Sequence, residues 1–405
     1  MIRLLIAADD LTGALDAGVQ FAAQGIQTLV TTDADIDIGG IGDHIEVLAV
    51  DTETRHLSGE KAYETVLSLV KKAVRCGVRN IYKKTDSVLR GNTGSELLAV
   101  INGAESDKVM FIPAFPDNDR ITHDSIQYVS GVPIAQSHFA RDILNPVTSS
   151  FIPDIISQYT DIGTVTVRRG ETPDFDIHRG IFIFNAETNE DMANIGDMLD
   201  RSGQLGLTAG CAGFAGVLCN VLNFTRRKQE LAVSGDNTLV VSGSVNKTSI
   251  EQMDYLKENG IKGVSLTPGQ KLNVSLYSGA GCDELIRLIK NALAQTGLAY
   301  IEAVEGESDI VEADRSMIAG NIGQIVKRVV CSFPVGNLFV IGGDTLLGIM
   351  RQLGINEIIP LSELSPGVVF SKVISDSYPF NLITKSGGFG QKKTVMSILS
   401  RIMDN

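Results

Sequence analysis

Charged side chains crowd one segment in the first quarter of the chain, shortly after a strand predicted at 78–82. Two cations, Lys84 and Arg90, stand on either side of one carboxylate, Asp86. In open α/β sheets, ligands bind beyond the carboxyl ends of the strands. Cations at such a place favour an anionic ligand, and a carboxylate beside them can accept a proton. The segment predicts a site for a small anion on which a proton moves; taken alone, it is equally compatible with a solvated turn.

Two more segments of the first half carry similar chemistry. Asp9 and Asp10 follow the first predicted strand, and Arg55 follows the third. Together with the first segment they form a predicted polar pocket at one edge of a sheet. In it, Arg90 can clamp a carboxylate through two hydrogen bonds, whereas Lys84 acts as a point charge. Phosphoryl transfer to a hydroxyl requires positioning, positive charge and a proton acceptor, and this inventory supplies all three.

Three loops rich in small residues lie in the second half, each between an apolar predicted strand and a predicted helix. They are 243–248, 342–345 and 385–390. Glycines let a backbone approach a ligand closely, and helix N-termini attract phosphate groups. The first loop is not a Walker A motif, because no glycine precedes Lys247. In the last loop, Lys385 and Ser386 join three glycines in a predicted phosphate cradle. The three loops together predict a nucleotide-binding half.

A fourth turn leaves two other classes of function open. Gly279 and Gly281 begin a dinucleotide-like pattern, but Glu284 stands where its third glycine would be. This turn and the α/β alternation are the support for an NAD-dependent oxidoreductase, which would bind nicotinamide cofactor and not ATP. A non-catalytic sensor of the small anion is the other alternative, and it would bind its ligand without nucleotide turnover.

Strand and helix signals alternate along the chain, which predicts an α/β fold. At 405 residues the chain is long enough for two domains. We predict that each is a mainly parallel sheet flanked by helices, with an N-terminal domain at 1–228 and a C-terminal domain at 236–405. The predicted strands are 2–8, 28–32, 46–50, 78–82, 108–112, 164–167, 180–184, 238–242, 272–276, 337–341 and 380–384. The predicted helices are 14–23, 58–75, 94–102, 249–258, 283–293, 346–353 and 391–403.

Composition excludes some classes of partner. The net charge of −13 argues against nucleic acid, whose phosphates require a basic surface. No apolar run is long enough for a transmembrane helix, and the first residues do not read as a signal peptide. The five cysteines are scattered without zinc or redox spacing. We expect a reduced, cytoplasmic protein without a structural metal or a membrane partner; its oligomeric state stays open, a homodimer being one option.

These motifs, taken in order, resemble the four-carbon acid sugar kinase family over nearly the whole chain. The segments that carry the resemblance are 8–14, 83–92, 113–116, 131–134, 241–244, 342–345, 366–367 and 384–390. The resemblance implies that ATP phosphorylates the terminal (C4) hydroxyl of threonate, erythronate or 3-oxo-tetronate. It also implies an acid-sugar-binding N-terminal domain, a nucleotide-binding C-terminal domain and an active site in the cleft between them.

The resemblance also implies roles for single residues. Asp10, Lys84, Asp86 and Arg90 are the expected catalytic residues, with Asp10 or Asp86 accepting the hydroxyl proton. The expected substrate-binding residues are Asp9, Asp10, Arg55, Lys84, Asp86, Arg90 and Gly91. The expected nucleotide-binding residues are Ser244, Gly342, Gly343, Asp344, Thr345, Gly387 and Gly388. We expect Mg²⁺ to accompany ATP, with its protein ligands left unassigned and Asp344 as one candidate.

The chain departs from the family pattern in two places. Asp119 stands before Arg120 where the family usually has a glycine, and Asn185 stands where it often has an aspartate. The loop shape is open at the first position, and no role is assigned at the second. The opening segment 10–16 is more similar to the threonate-kinase branch than to the oxo-tetronate branch, which favours D-threonate as the substrate.

Overall fold

The computed structural model describes residues 1–142, 145–176, 179–228, 237–273, 282–306 and 315–403. The chain divides into two compact units, Met1–Lys228 and Gln229–Asn405. We call these unit 1 and unit 2 and describe each by itself.

Unit 1 is built on a parallel sheet flanked by helices. Its strands are β1 (Leu4–Ala8), β2 (Thr28–Thr31), β3 (Val47–Asp51), β4 (Asn80–Lys84), β5 (Lys108–Ile112), β6 (Arg120–His123), β7 (Ile126–Val129), β8 (Val132–Pro133), β9 (Thr164–Val167), β10 (Gly180–Phe184) and β11 (Leu207–Gly210). Its helices are α1 (Leu11–Ala22), α2 (Gly59–Arg75), α3 (Thr93–Gly103), α4 (Ile152–Ser157), α5 (Asn189–Arg201) and α6 (Ala212–Val221). The parallel strands run in the order β2-β3-β1-β4-β11-β5-β10-β9, and β6, β7 and β8 form a small antiparallel sheet.

The sequences of the central strands explain why the sheet is covered on both faces. All residues of β1, β3 and β10 are buried, as expected for parallel strands with helices on each side. Helix α2 shows the complementary pattern, with buried residues at helical spacing on one face: Ala62, Val66, Leu69, Val70 and Ala73. The side-chain oxygen of Ser58 caps its first turn.

Unit 2 is likewise built on mainly parallel strands flanked by helices. Its strands are β12 (Thr238–Ser242), β13 (Gly263–Ser265), β14 (Leu298–Glu302), β15 (Asn337–Ile341), β16 (Glu357–Ser365), β17 (Val368–Val373) and β18 (Asn381–Lys385). Its helices are α7 (Lys247–Glu258), α8 (Pro268–Leu272), α9 (Asp283–Thr296), α10 (Arg315–Val330), α11 (Gly343–Leu353) and α12 (Thr394–Met403). Within unit 2 the order is β13-β14-β12-β15-β18-β17-β16, parallel from β13 to β18 and antiparallel at β17 and β16.

The first four strands follow the same order in both units. In each unit the third strand along the chain lies between the second and the first, and the fourth lies on the other side of the first. The chain therefore reverses its direction of winding between the first and fourth strands. Ligands of open α/β sheets bind at such a switch point, beyond the carboxyl ends of the strands. The switch points lie between β1 and β4 in unit 1 and between β12 and β15 in unit 2.

The predicted α/β class and the mainly parallel sheets are confirmed, but several elements differ from prediction. The small-residue stretch around 208–217 forms β11 and α6, and Leu272 ends helix α8, where a strand was predicted. The rest of that predicted strand, from 274, and the Gly279–Gly281 turn lie outside the described residues. In the described part of the chain, no helix is both long and apolar enough to cross a membrane.

Candidate active site

The end of β1 delivers two carboxylates to the switch point of unit 1. Arg55 holds Asp9 through two hydrogen bonds, from Nε to Oδ2 at 2.7 Å and from the second terminal nitrogen to Oδ1 at 2.9 Å. The remaining terminal nitrogen donates to Asp10 Oδ2 at 2.6 Å. Asp10 also caps α1, because its Oδ1 accepts from the amide of Gly13 at 2.8 Å. Arg55 therefore fixes both carboxylates at once.

The end of β4 supplies the second half of this cluster. Arg90 donates two hydrogen bonds to Asp86, from Nε to Oδ2 at 3.0 Å and from a terminal nitrogen to Oδ1 at 2.8 Å. Its other terminal nitrogen donates to Asp142 at 3.1 Å, and its guanidinium lies over the ring of Phe139, 5.3 Å from the centroid. The bidentate clamp predicted for Arg90 thus forms within the protein, with Asp86 as its carboxylate.

These contacts keep Asp10 and Asp86 ionised. Burial alone would raise the pKa of Asp10, but the attraction of Arg55 and Lys84 outweighs it, and the pKa lies below its usual value. Burial also opposes ionisation of Asp86, yet Arg90 and Arg55 hold the pKa of that carboxyl far below the usual range. Both side chains are therefore charged acceptors at neutral pH.

The two adjacent lysines of β4 lie on opposite faces of the sheet and have different partners. Lys83 is fully buried and pairs with Glu96 of α3 at 3.3 Å. Lys84 donates to the carbonyl of Thr85 at 2.9 Å, and among the described residues no carboxylate lies within ion-pair distance of its ammonium. A Cβ added to Gly13 would lie 3.1 Å from Lys84 Nζ, so the ammonium sits beside the first turn of α1. Lys84 is buried, with 4% of its surface exposed, but in the described part of the chain it differs from Arg55 and Arg90 in having no ion pair, so it is available to an anion that enters the site.

Asp51 ends β3 in register with Ala8, beside the two β1 carboxylates. Its Oδ1 accepts from the amide of Glu53 at 2.9 Å, whereas its buried Oδ2 has no hydrogen-bond partner in the described part of the chain. Burial, together with repulsion by Asp10, Glu53 and Asp9, raises the pKa of this carboxyl well above its usual value. Sequence reasoning gave Asp51 no role of its own.

The loops at this edge contain backbone conformations that non-glycine residues rarely adopt. Glu53, Leu89 and Asp119 all have a positive φ, of 51°, 62° and 55°. Such residues cluster at functional sites, where the surrounding structure compensates for the strain. Asp119 adopts the left-handed conformation at the position where the family usually has glycine, so the substitution leaves that loop geometry possible. Gly91, with a φ of 84°, packs against the backbone of Arg55.

The small-residue loops of unit 2 converge at its switch point. A Cβ added to Gly243 would lie 2.2 Å from Thr345 Oγ1, and one added to Gly387 would lie 2.5 Å from Ser244 Oγ. Only glycine permits these approaches. The amide of Gly342 donates to the carbonyl of Lys385 at 3.0 Å, which ties the second loop to the third. The predicted nucleotide-binding residues, from Ser244 to Gly388, are thus brought together within unit 2.

Helix α11 opens directly at this junction. Gly343, Asp344 and Thr345 form its first turn, where backbone amides and the helix dipole favour a phosphate group. The side chain of Asp344 lies 3.8 Å from Arg315. Among the described residues, no cluster of three or more His, Cys, Asp or Glu side chains is arranged to hold a metal ion. Mg²⁺ that is bound mainly through phosphates takes one or two protein carboxylates, and Asp344 is the carboxylate of this turn.

Sequence reasoning missed several residues of the two sites. Arg120 is buried close enough to Asp86 and Arg90 for their charges to affect it, and Asp142 binds Arg90. Arg120 begins β6 and Asp142 lies in a later loop, and no local pattern of the sequence indicates that either residue contacts the end of β4. Asn185 is structural: it accepts from the amide of Ser125 and donates to the carbonyl of Val167, both at 2.8 Å.

Glu302 is the other residue that the sequence pattern did not single out. It ends β14 in register with Ser242, the position in unit 2 that corresponds to Asp51 in unit 1. Its Oε1 accepts from Lys257 at 2.9 Å and from Ser265 at 2.6 Å, while Oε2 is buried without a partner in the described part of the chain. Both units thus bury a carboxylate beside the first strand.

The fold and the two sites define a class of protein with two open α/β units, one carrying an ion-rich pocket and the other a glycine-lined cradle. A family model described as a sugar-binding N-terminal domain matches residues 4–218, and one described as a nucleotide-binding C-terminal domain matches residues 239–395. The chain belongs to the family defined by these two domains, the four-carbon acid sugar kinases that its motifs resemble.

Relatives over nearly the full length agree with this membership. A D-threonate kinase of Salmonella typhimurium is 26% identical, covering 98% of each chain. A D-erythronate kinase of Heliobacterium modesticaldum is 26% identical over 100% of this chain and 98% of its own. A 3-oxo-tetronate kinase of Pseudomonas savastanoi pv. phaseolicola is 23% identical over 98% of this chain and 96% of its own. A crystal structure of a Salmonella typhimurium LT2 protein, 18% identical in sequence, shares the fold with a TM-score of 0.79. The match covers 99% of this chain and 98% of that protein.

Proposed function

We propose that this protein is an ATP-dependent kinase that phosphorylates the C4 hydroxyl of a four-carbon sugar acid, with D-threonate as the preferred substrate. The observation that carries the proposal is the repeated switch point: one holds charged acceptors beside an available cation, and the other holds three glycine loops. Acceptor chemistry and phosphate binding are the two parts that a kinase requires. Family membership and the names of the relatives support the same reaction.

The substrate anion is assigned to Lys84. Arg55 and Arg90 already hold Asp9, Asp10 and Asp86, so their role is to position carboxylates. Lys84 lacks an ion pair in the described part of the chain, so it can bind the carboxylate of the sugar acid or the transferring phosphoryl group as a point charge. This division refines the sequence-based hypothesis, in which Arg90 and Lys84 shared the anion.

Asp10 is the better candidate for the group that accepts the hydroxyl proton. The side chain of Asp86 is only 9% exposed, and Arg90 and two backbone amides occupy its oxygens. The oxygens of Asp10 also accept hydrogen bonds, from Thr12, Gly13 and Arg55, but its side chain is 19% exposed and it lies at the N-terminus of α1. A lowered pKa is acceptable for this role, because in a loose phosphoryl-transfer transition state the hydroxyl acidifies late and orientation matters most.

The nucleotide is assigned to unit 2. The first amides of α11 can bind phosphate oxygens, Ser244 and Thr345 offer hydroxyls, and Gly387 and Gly388 allow close approach of the backbone. Asp344 and Thr345 are the residues that would contact Mg²⁺, which neutralises charge on the β- and γ-phosphates when bound.

D-threonate is proposed over its analogues on sequence grounds. The opening segment 10–16 is closer to the threonate-kinase pattern, and D-threonate kinases are among the relatives that align over nearly the full chain. D-erythronate and 3-oxo-tetronate are the other acids that relatives are named for.

The test is ADP release from ATP and Mg²⁺ with D-threonate, L-threonate, D-erythronate, L-erythronate and 3-oxo-tetronate offered separately. We expect turnover with D-threonate that exceeds turnover with its epimers. The variant Asp10→Asn should lose kcat by about 10²–10⁴-fold, the usual share of a proton acceptor, with little change in the KM for ATP. If the protein binds ATP but releases no ADP when any of the five acids is offered, the acid-sugar part of the proposal is contradicted.

A further inference from the structure

Lys385, the last residue of β18, does not face a ligand as the sequence pattern suggested. The side chain is fully buried. Its ammonium donates to the carbonyl oxygens of Ser386 at 2.8 Å, Gly387 at 3.2 Å and Phe389 at 2.9 Å. Three donors are all that a lysine ammonium has, so the bonds to the loop account for each of them.

Two side chains of helix α7 also donate hydrogen bonds to carbonyl oxygens of this segment. Ser249 Oγ donates to the carbonyl of Gly387 at 2.7 Å. Gln252 Nε2 donates to the carbonyls of Phe389 at 3.1 Å and Gln391 at 3.0 Å. Both side chains are fully buried. The carbonyl oxygens of the 386–390 loop are therefore drawn toward the interior of unit 2.

This arrangement leaves the amides of the loop for another partner. Within the described part of the chain, the amides of Gly387 and Gly388 donate no hydrogen bond, and both residues are only half-buried. Gly387 also packs against Ser244, at the junction with the first loop. Successive amides presented by a turn form an anion-binding concavity.

The buried charge of Lys385 lowers the stability of the folded protein, so packing alone does not explain a lysine at this position. Burying an ammonium is unfavourable, and burial lowers the pKa of Lys385 to about 7, with no charged neighbour to offset the shift. The strand neighbours in register, Ile341 and Val368, are apolar. When the amine is protonated, its charge next to the Gly387 carbonyl adds to the attraction of the loop for phosphate.

We propose that Lys385 is a positioning residue for the nucleotide: it gathers the carbonyl oxygens of the 386–390 loop on one side, so that the amides of Gly387 and Gly388 bind phosphate on the other. This inference rests on the nucleotide role proposed for unit 2.

The test compares Lys385→Met with Lys385→Arg and with the control Lys392→Met in the full-length protein. Lys392 is a half-exposed neighbour that pairs with Glu258, so its replacement removes the same charge without touching the loop carbonyls. The measurements are the Kd for ATP with Mg²⁺ by calorimetry and the KM values for ATP and for the sugar acid. We expect Lys385→Met to raise the Kd and KM for ATP at least tenfold, with the KM for the acid within twofold of the wild type. Lys385→Arg should recover part of the affinity, and Lys392→Met should match the wild type.

Ser249→Ala keeps the test decisive if Lys385→Met does not fold. It removes the shorter of the two hydrogen bonds that the Gly387 carbonyl accepts, the other being that from Lys385, and it should raise the Kd for ATP several-fold with an unchanged unfolding midpoint. Wild-type ATP affinity in Lys385→Met, or in a folded Ser249→Ala, would overturn the positioning role. Absence of ATP binding by the wild type would instead overturn the proposed function.

Discussion

At the scale of single residues, neighbouring side chains of the same type have different tasks. Lys83 and Lys84 are adjacent, and a sequence pattern treats them alike. Because successive side chains of a strand point to opposite faces, Lys83 reaches Glu96 in the core and Lys84 reaches the switch point. The sequence located the cluster of charges correctly, but it could not show which cation was already paired.

Lys84→Met tests the assignment of the available cation. Lys84 contributes to the attraction on Asp10 and Asp86, but Arg55 and Arg90 still pair with these two carboxylates after its loss. We expect kcat/KM for the sugar acid to fall on the order of 100-fold, with the KM for ATP and the unfolding midpoint close to wild type. Steady-state kinetics with each substrate varied in turn measures this. A loss that appears only in the KM for ATP would assign Lys84 to the nucleotide.

Asp51→Asn tests the buried carboxyl beside the β1 carboxylates. The pKa of Asp51 is raised in the folded state, so the folded protein retains a proton that the unfolded chain releases above about pH 4. The stabilisation from this group is present at low pH and is lost as pH rises, at about 1.4 kcal/mol per pH unit until the folded pKa is reached. Asparagine does not titrate, so the variant should gain in unfolding free energy relative to wild type as pH rises from 5. Urea unfolding at several pH values, followed by circular dichroism, measures the difference; a difference independent of pH would show that Asp51 is ionised in the fold.

At the scale of elements, one ion pair ties β4 to α3. Lys83 and Glu96 are both buried, and Lys83 also donates to the carbonyls of Ala7 at 3.1 Å and Lys84 at 2.9 Å. Thr54 donates to the same glutamate. The pair thereby joins the strand that carries Lys84 and Asp86 to the helix packed beneath it.

Lys83→Met should destabilise unit 1, because it leaves the buried Glu96 without its cation. Removing one partner of a buried pair costs about 3–5 kcal/mol. Adding Glu96→Gln to this variant should restore part of the loss, since both charges are then absent. Urea unfolding of the two single variants and the double variant measures the coupling. If the losses of unfolding free energy in the two single variants simply add in the double variant, the coupling between Lys83 and Glu96 is contradicted.

Strand and helix patterns predicted most of these elements. The strands at 108–112, 164–167, 180–184, 238–242 and 337–341 were placed correctly, because each is a short run rich in apolar or β-branched residues. The antiparallel pair β16 and β17 was missed, since β16 contains Pro360, alternates irregularly and carries register shifts. The stretch that forms β11 and α6 was missed because small residues carry weak periodicity.

At the scale of the whole molecule, one strand order occurs twice and positions different chemistry each time. The switch point of unit 1 gathers ionised carboxylates and cations, and that of unit 2 gathers glycines and a helix N-terminus. The sequence predicted which segments end strands, and hence which residues share an edge. It could not predict strand order, which depends on contacts between distant segments, so the convergence of Ser244, Thr345 and Gly387 required the structure.

Hydrogen exchange tests whether each ligand belongs to the assigned unit. At 100 times its Kd, a ligand stabilises the folded state by about 2.7 kcal/mol, which slows exchange about 100-fold at amides that open only when the ligand leaves. We expect ATP with Mg²⁺ to protect 243–246, 342–345 and 386–390, and the sugar acid to protect 9–13 and 84–91. Protection of the unit 1 segments by ATP alone would contradict the division.

The most direct test of the central claim is the product itself. The full-length protein is incubated with ATP, Mg²⁺ and D-threonate, and the product is examined by phosphorus and proton NMR. A phosphate monoester whose phosphorus couples to the two C4 hydrogens is the predicted result. Inorganic phosphate as the sole product, or an ester at C2 or C3, would contradict the account.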